Sequence, residues 1–179
     1  DSGRVVKRNK KGEPIRTSGM HLDITERKNL EIELQKSKQS LEQASDLGKI
    51  GYWDFSYETG EITWSDMTYK IFEREPELGP PEYEKHKEVN YRENAEVLEE
   101  RVDKALKFGE PYYQDFKIYT DKGNVKYTYT IGTPLKDKHG NIIGLTGAVQ
   151  DITERKIVEI ELKKSEEKFR TLVNQSPDI

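Results

Sequence analysis

An internal repeat constrains this chain more than any other feature. Residues 19–37 and 147–165 align at a constant offset of 128 positions, and 13 of the 19 aligned pairs are identical. Both copies contain the string D-I-T-E-R-K, at 23–28 and at 151–156. Solenoid repeats have periods of about 20–50 residues, so an offset this long corresponds to a whole domain with its linker. The sequence therefore predicts tandem copies of one domain type.

The position of the repeat sets the expected domain boundaries. Because the repeated unit ends at D-I-T-E-R-K, residues 1–25 are predicted to be the C-terminal strands of a truncated preceding domain. Residues 48–152 are then a complete second copy. The other expected segments are a linker helix on each side of this copy and the start of a truncated following domain: 26–47, 153–174 and 175–179.

Hydrophobic alternation and turn residues predict the elements of the complete copy. Ser65 or Asp66 is expected to cap a short helix, and a longer helix over 93–108 is expected to end at Gly109. Prolines and a glycine between 76 and 81 predict irregular structure. The expected strands are 51–58, 61–64, 112–120, 124–136 and 141–151. This order gives an α+β fold: a five-stranded antiparallel sheet with short helices on one face, flanked by long coiled-coil-like helices.

A heptad frame that starts at Arg27 and again at Arg155 gives positions at alternating spacings of three and four, which is typical of a coiled-coil seam. Most of these positions are apolar, but arginine and serine also occur among them. A single helix with so little apolar surface would be marginal in water, so the spacing predicts a homodimer. The alternative is that each helix lies on its own domain. The expected seam residues are Leu30, Leu34, Leu41, Val158, Leu162 and Phe169.

Composition excludes several functional classes. The chain has no cysteine, which excludes a cysteine nucleophile, a thiolate metal site and a cysteine-dependent flavin adduct. A net charge of −4 gives no long-range attraction to nucleic acid or to an anionic membrane. No apolar run has the length of a membrane span and no signal peptide opens the chain, so a cytoplasmic fragment without direct membrane contact is expected. Whether the parent protein is membrane-anchored stays open.

Several short motifs occur in a characteristic order. They are I-G-Y-W-D-F (50–55), W-S-D-M (64–67), the D-K-G turn (121–123), Asp137 with Gly140 before the last strand, and the two D-I-T-E-R-K strings. In this order and spacing the sequence resembles the PAS family with its C-terminal PAC motif, as found in multi-PAS sensor histidine kinases of bacteria and archaea. The H-P-E-D string common in that family is absent, since residues 90–94 read N-Y-R-E-N.

The resemblance implies a ligand pocket between the sheet and the helices. The alternative is that the aromatic residues simply fill the core. Some haem-binding members place an axial histidine near the position of His86, but a lone histidine is more often a polar surface residue. His21 and His139 are expected to be ordinary surface or core residues. No cofactor is therefore expected, and the ligand is unknown. The candidate lining residues are Trp53, Phe55, Trp64, Tyr69, Phe72, Phe116, Ile118, Tyr127 and Tyr129.

The D-I-T-E string lies where a strand becomes a helix, which makes it a candidate signal relay. Asp151 can cap the helix and Glu154, three residues later, can complete a capping box, with Thr153 as an alternative cap. In the first copy the equivalent residues are Asp23, Thr25 and Glu26.

These features predict a non-catalytic signal-relay module of a larger protein, expected to be a sensor histidine kinase of a two-component system with its catalytic domain downstream. The alternative is a ligand-free dimerisation and spacer domain. The chain has no phosphate-binding loop, nucleophile motif or metal-binding spacing, so an enzyme is disfavoured. A cavity larger than about 300 Å³ would favour sensing, whereas a filled core would favour a spacer.

Overall fold

A computed structural model describes residues 2–20 and 22–175. The expectations for His21 and for the third domain from 176 onward lie outside the described residues. The chain divides into two compact units, Asp1–Gln43 and Ala44–Ile179.

The first unit contains a β-hairpin of β1 (Ser2–Arg8) and β2 (Pro14–Met20). Asn9 organises its turn, because its side-chain Oδ1 accepts hydrogen bonds from the backbone N–H of Lys11 (2.9 Å) and of Glu13 (3.0 Å). The hairpin is followed by helix α1 (Thr25–Gly48), whose last residues belong to the second unit.

The second unit repeats this turn geometry 128 positions later. Asp137 Oδ1 accepts from the backbone N–H of His139 (2.8 Å) and of Asn141 (2.9 Å). Gly12 and Gly140 have φ values of 84° and 85°, in the left-handed region that glycine adopts without steric cost. The sequence repeat is therefore also a repeat of local structure.

The second unit is built on one antiparallel sheet whose strands lie in the order β4-β3-β7-β6-β5. Its strands are β3 (Ile50–Ser56), β4 (Ile62–Trp64), β5 (Tyr112–Tyr119), β6 (Val125–Lys136) and β7 (Ile142–Asp151). The first and last strands, β3 and β7, pair side by side. The start of β3 pairs with the end of β7, so the end of α1 and the start of the outgoing helix meet at the same end of these two interior strands. The α+β fold predicted from the sequence is confirmed.

The helices between β4 and β5 lie against one face of this sheet. Ser65 caps the first of them, with its Oγ accepting from the N–H of Thr68 at 3.4 Å, and Gly109 ends the longest with a φ of 72°. The segment predicted to be irregular, 76–81, contains one 3₁₀ turn, and a short α-helix and a π-helical turn follow it. In chain order the segments are α2 (Asp66–Phe72), Pro76–Leu78 (3₁₀), α3 (Tyr83–His86), Lys87–Tyr91 (π), Arg92–Asn94 (3₁₀), α4 (Ala95–Phe108) and the outgoing α5 (Thr153–Gln175).

Strand alternation decides which side chains reach the core between sheet and helices. On β6, Thr128 and Thr130 are buried, so Tyr127 and Tyr129 lie on the opposite face. Gly147 of β7 has no room for a side chain, because an added Cβ would lie 2.0 Å from the carbonyl oxygen of Ile131. The buried apolar core comprises Ile71, Phe72, Tyr91, Leu98, Val102, Ala105, Tyr112, Phe116, Ile118, Leu145 and Val149.

Candidate functional site

A cavity of about 260 Å³ lies within the second unit, between the sheet and the helices that cover it. Every strand of the sheet and helices α2, α3 and α4 contribute to its wall. Its lining is mainly aromatic and aliphatic, and Glu84, Glu99 and Asp103 are the acidic residues among it. All three are exposed, so the carboxylates lie towards the solvent side of an apolar chamber.

Four of the residues predicted from the sequence line this cavity: Trp53, Phe55, Trp64 and Phe72. Phe116 and Ile118 are almost fully buried in the core beside it. Tyr127 and Tyr129 require a correction, because strand alternation places them on the far face of the sheet. Tyr69 is half-buried in α2 and packs edge-on against Trp64, with a ring-centroid separation of 5.3 Å, but it does not line the cavity.

Sequence reasoning missed much of the wall, because many lining residues come from the segment between Pro81 and α4. Tyr112 and Thr130 could have been found from strand alternation, since each shares a face with buried neighbours. Leu98 and Val102 could have been found from the apolar face of α4. The lining residues that the sequence did not indicate as pocket residues are Ile62, Thr68, Tyr83, Glu84, His86, Tyr91, Leu98, Glu99, Val102, Asp103, Leu106, Tyr112, Thr130, Leu145 and Val149.

His86 is a buried part of the cavity wall and not the surface residue that the sequence suggested. Only 9% of it is exposed, because the short α3 helix turns it inward. Its ring meets Trp64, Phe72 and Tyr91 edge-on at centroid distances of 5.2, 4.8 and 5.1 Å. Burial among these rings lowers the pKa of the imidazole to about 4, despite the opposing effects of Asn90 and Asp121. His86 is therefore neutral at neutral pH.

A hydrogen-bond network through Asn90 holds the side chain of His86 in place. Its Nδ1 lies 2.8 Å from Asn90 Oδ1. The amide nitrogen of Asn90 donates to the carbonyl oxygen of Tyr119 at 2.7 Å and to the carboxylate of Asp121 at 3.2 Å. Asp121 is paired in turn with Arg74, at 2.6 Å. The imidazole is thus tied to the turn between β5 and β6.

Two fully buried hydroxyl groups in the cavity wall have no hydrogen-bond partner among the described residues: those of Tyr83 and Thr130. Thr130 is only 3% exposed, and its Oγ1 lies beside the hydroxyl of Tyr91 without forming a hydrogen bond of good geometry. Burial raises the pKa of Tyr83 to about 12 and raises that of Tyr112 further, so both phenols stay protonated. The chamber therefore contains neutral polar groups with unused hydrogen-bonding capacity.

The second place of interest is the junction where β7 becomes α5. Asp151 Oδ1 accepts from the backbone N–H of Thr153 at 2.9 Å and from its hydroxyl at 2.5 Å. The Thr153 hydroxyl also accepts from the N–H of Tyr127 at 3.0 Å, which ties the first helical residue to β6. The carbonyl oxygen of Ile152 accepts the first helical hydrogen bond, from Lys156 N–H at 2.9 Å.

The capping box expected from the sequence is therefore not the arrangement found. Ile152, not Asp151, is the cap residue, and Asp151 forms a turn one position earlier. Glu154 does not reach back to the cap; its carboxylate pairs with Lys49 Nζ at 2.7 Å. Lys49 lies between α1 and β3 with a φ of 48°, a strained conformation for a residue with a side chain. The pair joins the incoming and outgoing chain segments.

The first D-I-T-E copy has the same turn. Asp23 Oδ1 accepts from the N–H of Thr25 at 2.9 Å, and the carbonyl oxygen of Ile24 accepts from the N–H of Lys28 at 2.9 Å. Hydrogen bonding by the side chain and the backbone N–H of Thr25 lowers the pKa of the Asp23 carboxyl below its ordinary value. Glu26 is exposed in the first turn of α1. The string therefore specifies the turn locally.

The apolar seam residues of both linker helices are exposed in the single chain. Leu34 and Leu162 are 72% and 60% exposed, and Leu30, Leu41, Val158 and Phe169 are exposed to a similar extent. Within the described residues no helix combines the length and apolarity needed to cross a membrane. In the same part of the chain, no cluster of three or more His, Asp or Glu residues is arranged to hold a metal ion.

The sheet, its helical cover and the enclosed cavity define the class of α+β domain found in sensory proteins. Residues 61–149 match the family model for the PAS fold. This segment belongs to the PAS family, and the five-stranded unit is a PAS domain, a module that is not itself catalytic.

Two relatives of this chain are described as blue-light-activated histidine kinases. The chain is 30% identical over 134 residues to a blue-light-activated histidine kinase of Brucella anthropi, and 28% identical over 134 residues to the protein of the same description in Brucella ovis. Each alignment covers 75% of this chain but only 26% of the relative. The chain thus spans about a quarter of the length of these kinases.

A solved structure supports the fold assignment. The sensory box histidine kinase/response regulator from Burkholderia thailandensis superposes with a TM-score of 0.61 at 23% identity, covering 73% of this chain and 98% of that chain. At this level of identity the likeness concerns the fold.

Proposed function

We propose that this chain is the sensory and signal-relay PAS module of a longer cytoplasmic protein, a sensor histidine kinase whose catalytic domain lies outside this sequence. The cavity carries the proposal: a partly apolar chamber with unused polar groups is a site in which a small molecule can alter the domain. The sensor-kinase relatives support this assignment. The signal passes from the cavity to α5 through the D-I-T-E junction.

The first half of a physical route runs from the cavity to the β5–β6 turn. His86 contacts Asn90, and Asn90 donates to the carboxylate of Asp121. The backbone N–H of Asp121 donates to the carbonyl oxygen of Phe72 at 2.9 Å, and Phe72 itself lines the cavity. A ligand that moves either His86 or Phe72 therefore acts on this turn.

The second half runs from that turn to the outgoing helix. Thr120 donates to the Glu73 carboxylate at 2.7 Å, and Lys126 lies 3.3 Å from the same carboxylate. Lys126 Nζ also lies 3.9 Å from Asp151 Oδ2, and Asp151 holds Thr153 at the start of α5. The ion pairs of Lys126 with Glu73 and with Asp151 are both largely shielded from solvent. Dissolved salt therefore screens them less than it screens surface ion pairs.

The competing function is a ligand-free dimerisation and spacer domain. The cavity volume favours this alternative in one respect, since about 260 Å³ is slightly below the lower limit of about 300 Å³ for pockets that hold drug-sized ligands. The unpartnered hydroxyls of Tyr83 and Thr130 favour sensing, because buried polar groups without partners destabilise a domain that only serves as a spacer.

Native mass spectrometry of the purified protein distinguishes the two functions. Sensing predicts a retained small molecule, or a complex that forms when cell extract metabolites are added. A protein that stays free of small molecules under both conditions, with α5 unaffected, would support the spacer function instead.

The blue-light description of the Brucella relatives raises the question of a flavin. The residues here do not fit one: the chain has no cysteine for an adduct, and the cavity is below the usual size for a large ligand. In addition, the carboxylates of Glu84, Glu99 and Asp103 would repel a flavin phosphate. No step of the proposed function passes through a flavin.

We therefore expect the purified protein to be colourless, with neither a flavin band nor the Soret band of a haem held by His86. An absorption spectrum of freshly purified protein, recorded before and after blue illumination, measures this directly. Adding flavin mononucleotide or haemin during purification provides the control. A stoichiometric chromophore in either sample would contradict the expectation.

We also propose that the parent chain carries PAS domains in tandem and acts as a homodimer. The hairpin of the first unit has the turn and D-I-T-E geometry that ends the complete domain, which supports its assignment to a preceding PAS domain. The exposed apolar rows on α1 and α5 support pairing of each linker helix with its equivalent in a second chain.

Leu162→Glu is expected to weaken or abolish dimerisation, because it places a charge in the seam of α5. Sedimentation velocity at micromolar concentrations would show a shift from dimer to monomer. Leu34→Glu tests the seam of α1 in the same way, and Ile32→Glu is its matched control, since Ile32 is 51% exposed on the same helix but off the seam. An unaltered protein that sediments as a monomer would refute the dimer.

A further inference from the structure

The hydrogen bonds around His86 determine which of its two nitrogens carries the proton. Asn90 donates from its amide nitrogen to the Tyr119 carbonyl and to the Asp121 carboxylate, both of which only accept. The amide oxygen of Asn90 must therefore face His86, and it also can only accept. Because His86 is neutral, its single proton lies on Nδ1, where it is donated to Asn90. Nε2 is then a bare acceptor.

The hydroxyl groups of the chamber can both donate and accept, so only the bare nitrogen of His86 requires a donor. Among the side-chain hydrogen bonds of the described residues, His86 takes part only through Nδ1, so Nε2 is left for a ligand. The buried Thr130 Oγ1, 3% exposed, has no partner in the same part of the chain. A ligand that donates a hydrogen bond satisfies the acceptor on His86. A ligand without a donor leaves it unpaired in an apolar site, which is unfavourable.

The charged residues at the cavity and the volume of the cavity narrow the class of ligand further. Glu84, Glu99 and Asp103 give the chamber a carboxylate-lined mouth, and these carboxylates disfavour an anion. Lysines already neutralise them in part, since Lys87 pairs with Glu84 and Glu99 and Lys107 pairs with Asp103, so there is no free carboxylate at depth for a cation. An apolar cavity of about 150 Å³ holds benzene, so one of about 260 Å³ holds a molecule of roughly bicyclic size.

We propose that the cavity binds a small, uncharged aromatic molecule carrying an N–H or O–H group, which donates a hydrogen bond to His86 Nε2 while its ring packs among Trp53, Trp64 and Tyr91. The inference rests on the proposed sensing function and specifies the ligand class for it. The acceptor state of His86, rather than the aromatic lining alone, determines this class.

Titration of the protein with indole and with N-methylindole, followed by amide chemical shifts, tests the proposal. The two probes have the same ring system, but only indole donates a hydrogen bond. Indole is expected to bind about 5- to 150-fold more tightly, because N-methylindole leaves the acceptor on His86 unpaired. Equal binding of the two, or no binding of either at millimolar concentration, would overturn the class.

Benzyl alcohol, benzoate and benzylammonium form a second matched set that differs in charge. Benzyl alcohol is expected to bind most tightly. Tighter binding of benzoate or benzylammonium would overturn the ligand class but leave ligand sensing intact. If no probe binds and native mass spectrometry also finds no retained molecule, both the class and the sensing function are wrong.

Long-range proton–nitrogen correlation spectra of the histidine rings test the premise in the unaltered protein. They are expected to show a proton on Nδ1 of His86, and a proton on Nε2 would refute the proposal. Thr130→Val and His86→Phe are expected to reduce indole binding severalfold. Because the probe and tautomer measurements need no mutation, a variant that fails to fold leaves the test valid.

Discussion

Acidification from pH 6.5 to pH 4 is expected to destabilise the protein mainly through His86. The ordinary pKa of 6.5 applies to the unfolded chain, and burial lowers the pKa to about 4 in the folded domain. Between these two values the unfolded state binds a proton that the folded state does not, so stability falls as the pH falls. At 1.36 kcal/mol per pH unit, the loss is about 3 kcal/mol.

The charged groups near His86 do not change the direction of this pH dependence. Asp121 favours the charged imidazole and Arg74 opposes it, but burial outweighs both. Carboxyl groups with lowered pKa values, such as Glu93 at about 2 and Glu73, begin to remove stability as the pH falls through their ordinary value of 4.5. They therefore add to the loss only at the acid end of the window and below it.

Urea unfolding at a series of pH values measures the effect. His86→Gln removes the titrating group while keeping an amide that can donate to Asn90, so this variant is expected to lose most of the pH dependence across the window. His139→Gln is the matched control, because His139 is exposed in the β6–β7 turn. If His86→Gln and the unaltered protein show the same slope, the buried neutral state of His86 is refuted.

The sequence was informative wherever structure follows from nearby residues. The element order, the Ser65 cap, the end of α4 at Gly109 and the repeated D-I-T-E turn all depend on contacts within a few positions. Each is specified by side chains that bond their own backbone or by a glycine that permits a left-handed turn. These features were therefore predictable without knowledge of the tertiary fold.

The sequence was less informative wherever burial depends on distant partners. Pro76 to Pro81 correctly indicated a break, but gave no signal that the following short helix turns His86 into the cavity. The pairing of Glu154 with Lys49 likewise depends on β3 and β7 lying side by side. In contrast, the alternation of side chains along β6 predicts which of them face the core. The prediction of Tyr127 and Tyr129 as pocket residues is wrong because it rests on their aromatic character and not on this alternation.

Asp151→Ala is expected to loosen α5 from the sheet while leaving the domain folded. The substitution removes the acceptor for both the N–H and the hydroxyl of Thr153, and with it the orientation of the hydroxyl that accepts from Tyr127. Loss of such a helix-start interaction costs about 0.5–2 kcal/mol. This cost is small beside the free energy of unfolding of the domain. It is comparable to the coupling free energy of about 1–3 kcal/mol between two sites of a typical allosteric protein.

Hydrogen exchange of the α5 amides gives the first measurement. In Asp151→Ala the first-turn amides from Thr153 onward are expected to exchange about 2- to 30-fold faster, while core amides of β6 and β7 change little. Asp137→Ala is the matched control: this carboxylate also accepts from two backbone N–H groups, but in a turn away from the helix. It is expected to leave the exchange of α5 unchanged.

Signal output of the full-length protein gives the second measurement. Asp151→Ala and Thr153→Ala are both expected to change kinase output, or its response to ligand, far more than they change the melting temperature. Asp151→Asn keeps a hydrogen-bond acceptor but removes the charge that faces Lys126, so it separates the turn from the ion-pair route. An Asp151→Ala protein that unfolds, or that signals like the unaltered protein, would reduce the junction to a structural cap. A changed output at nearly constant stability is the result that only a relay predicts.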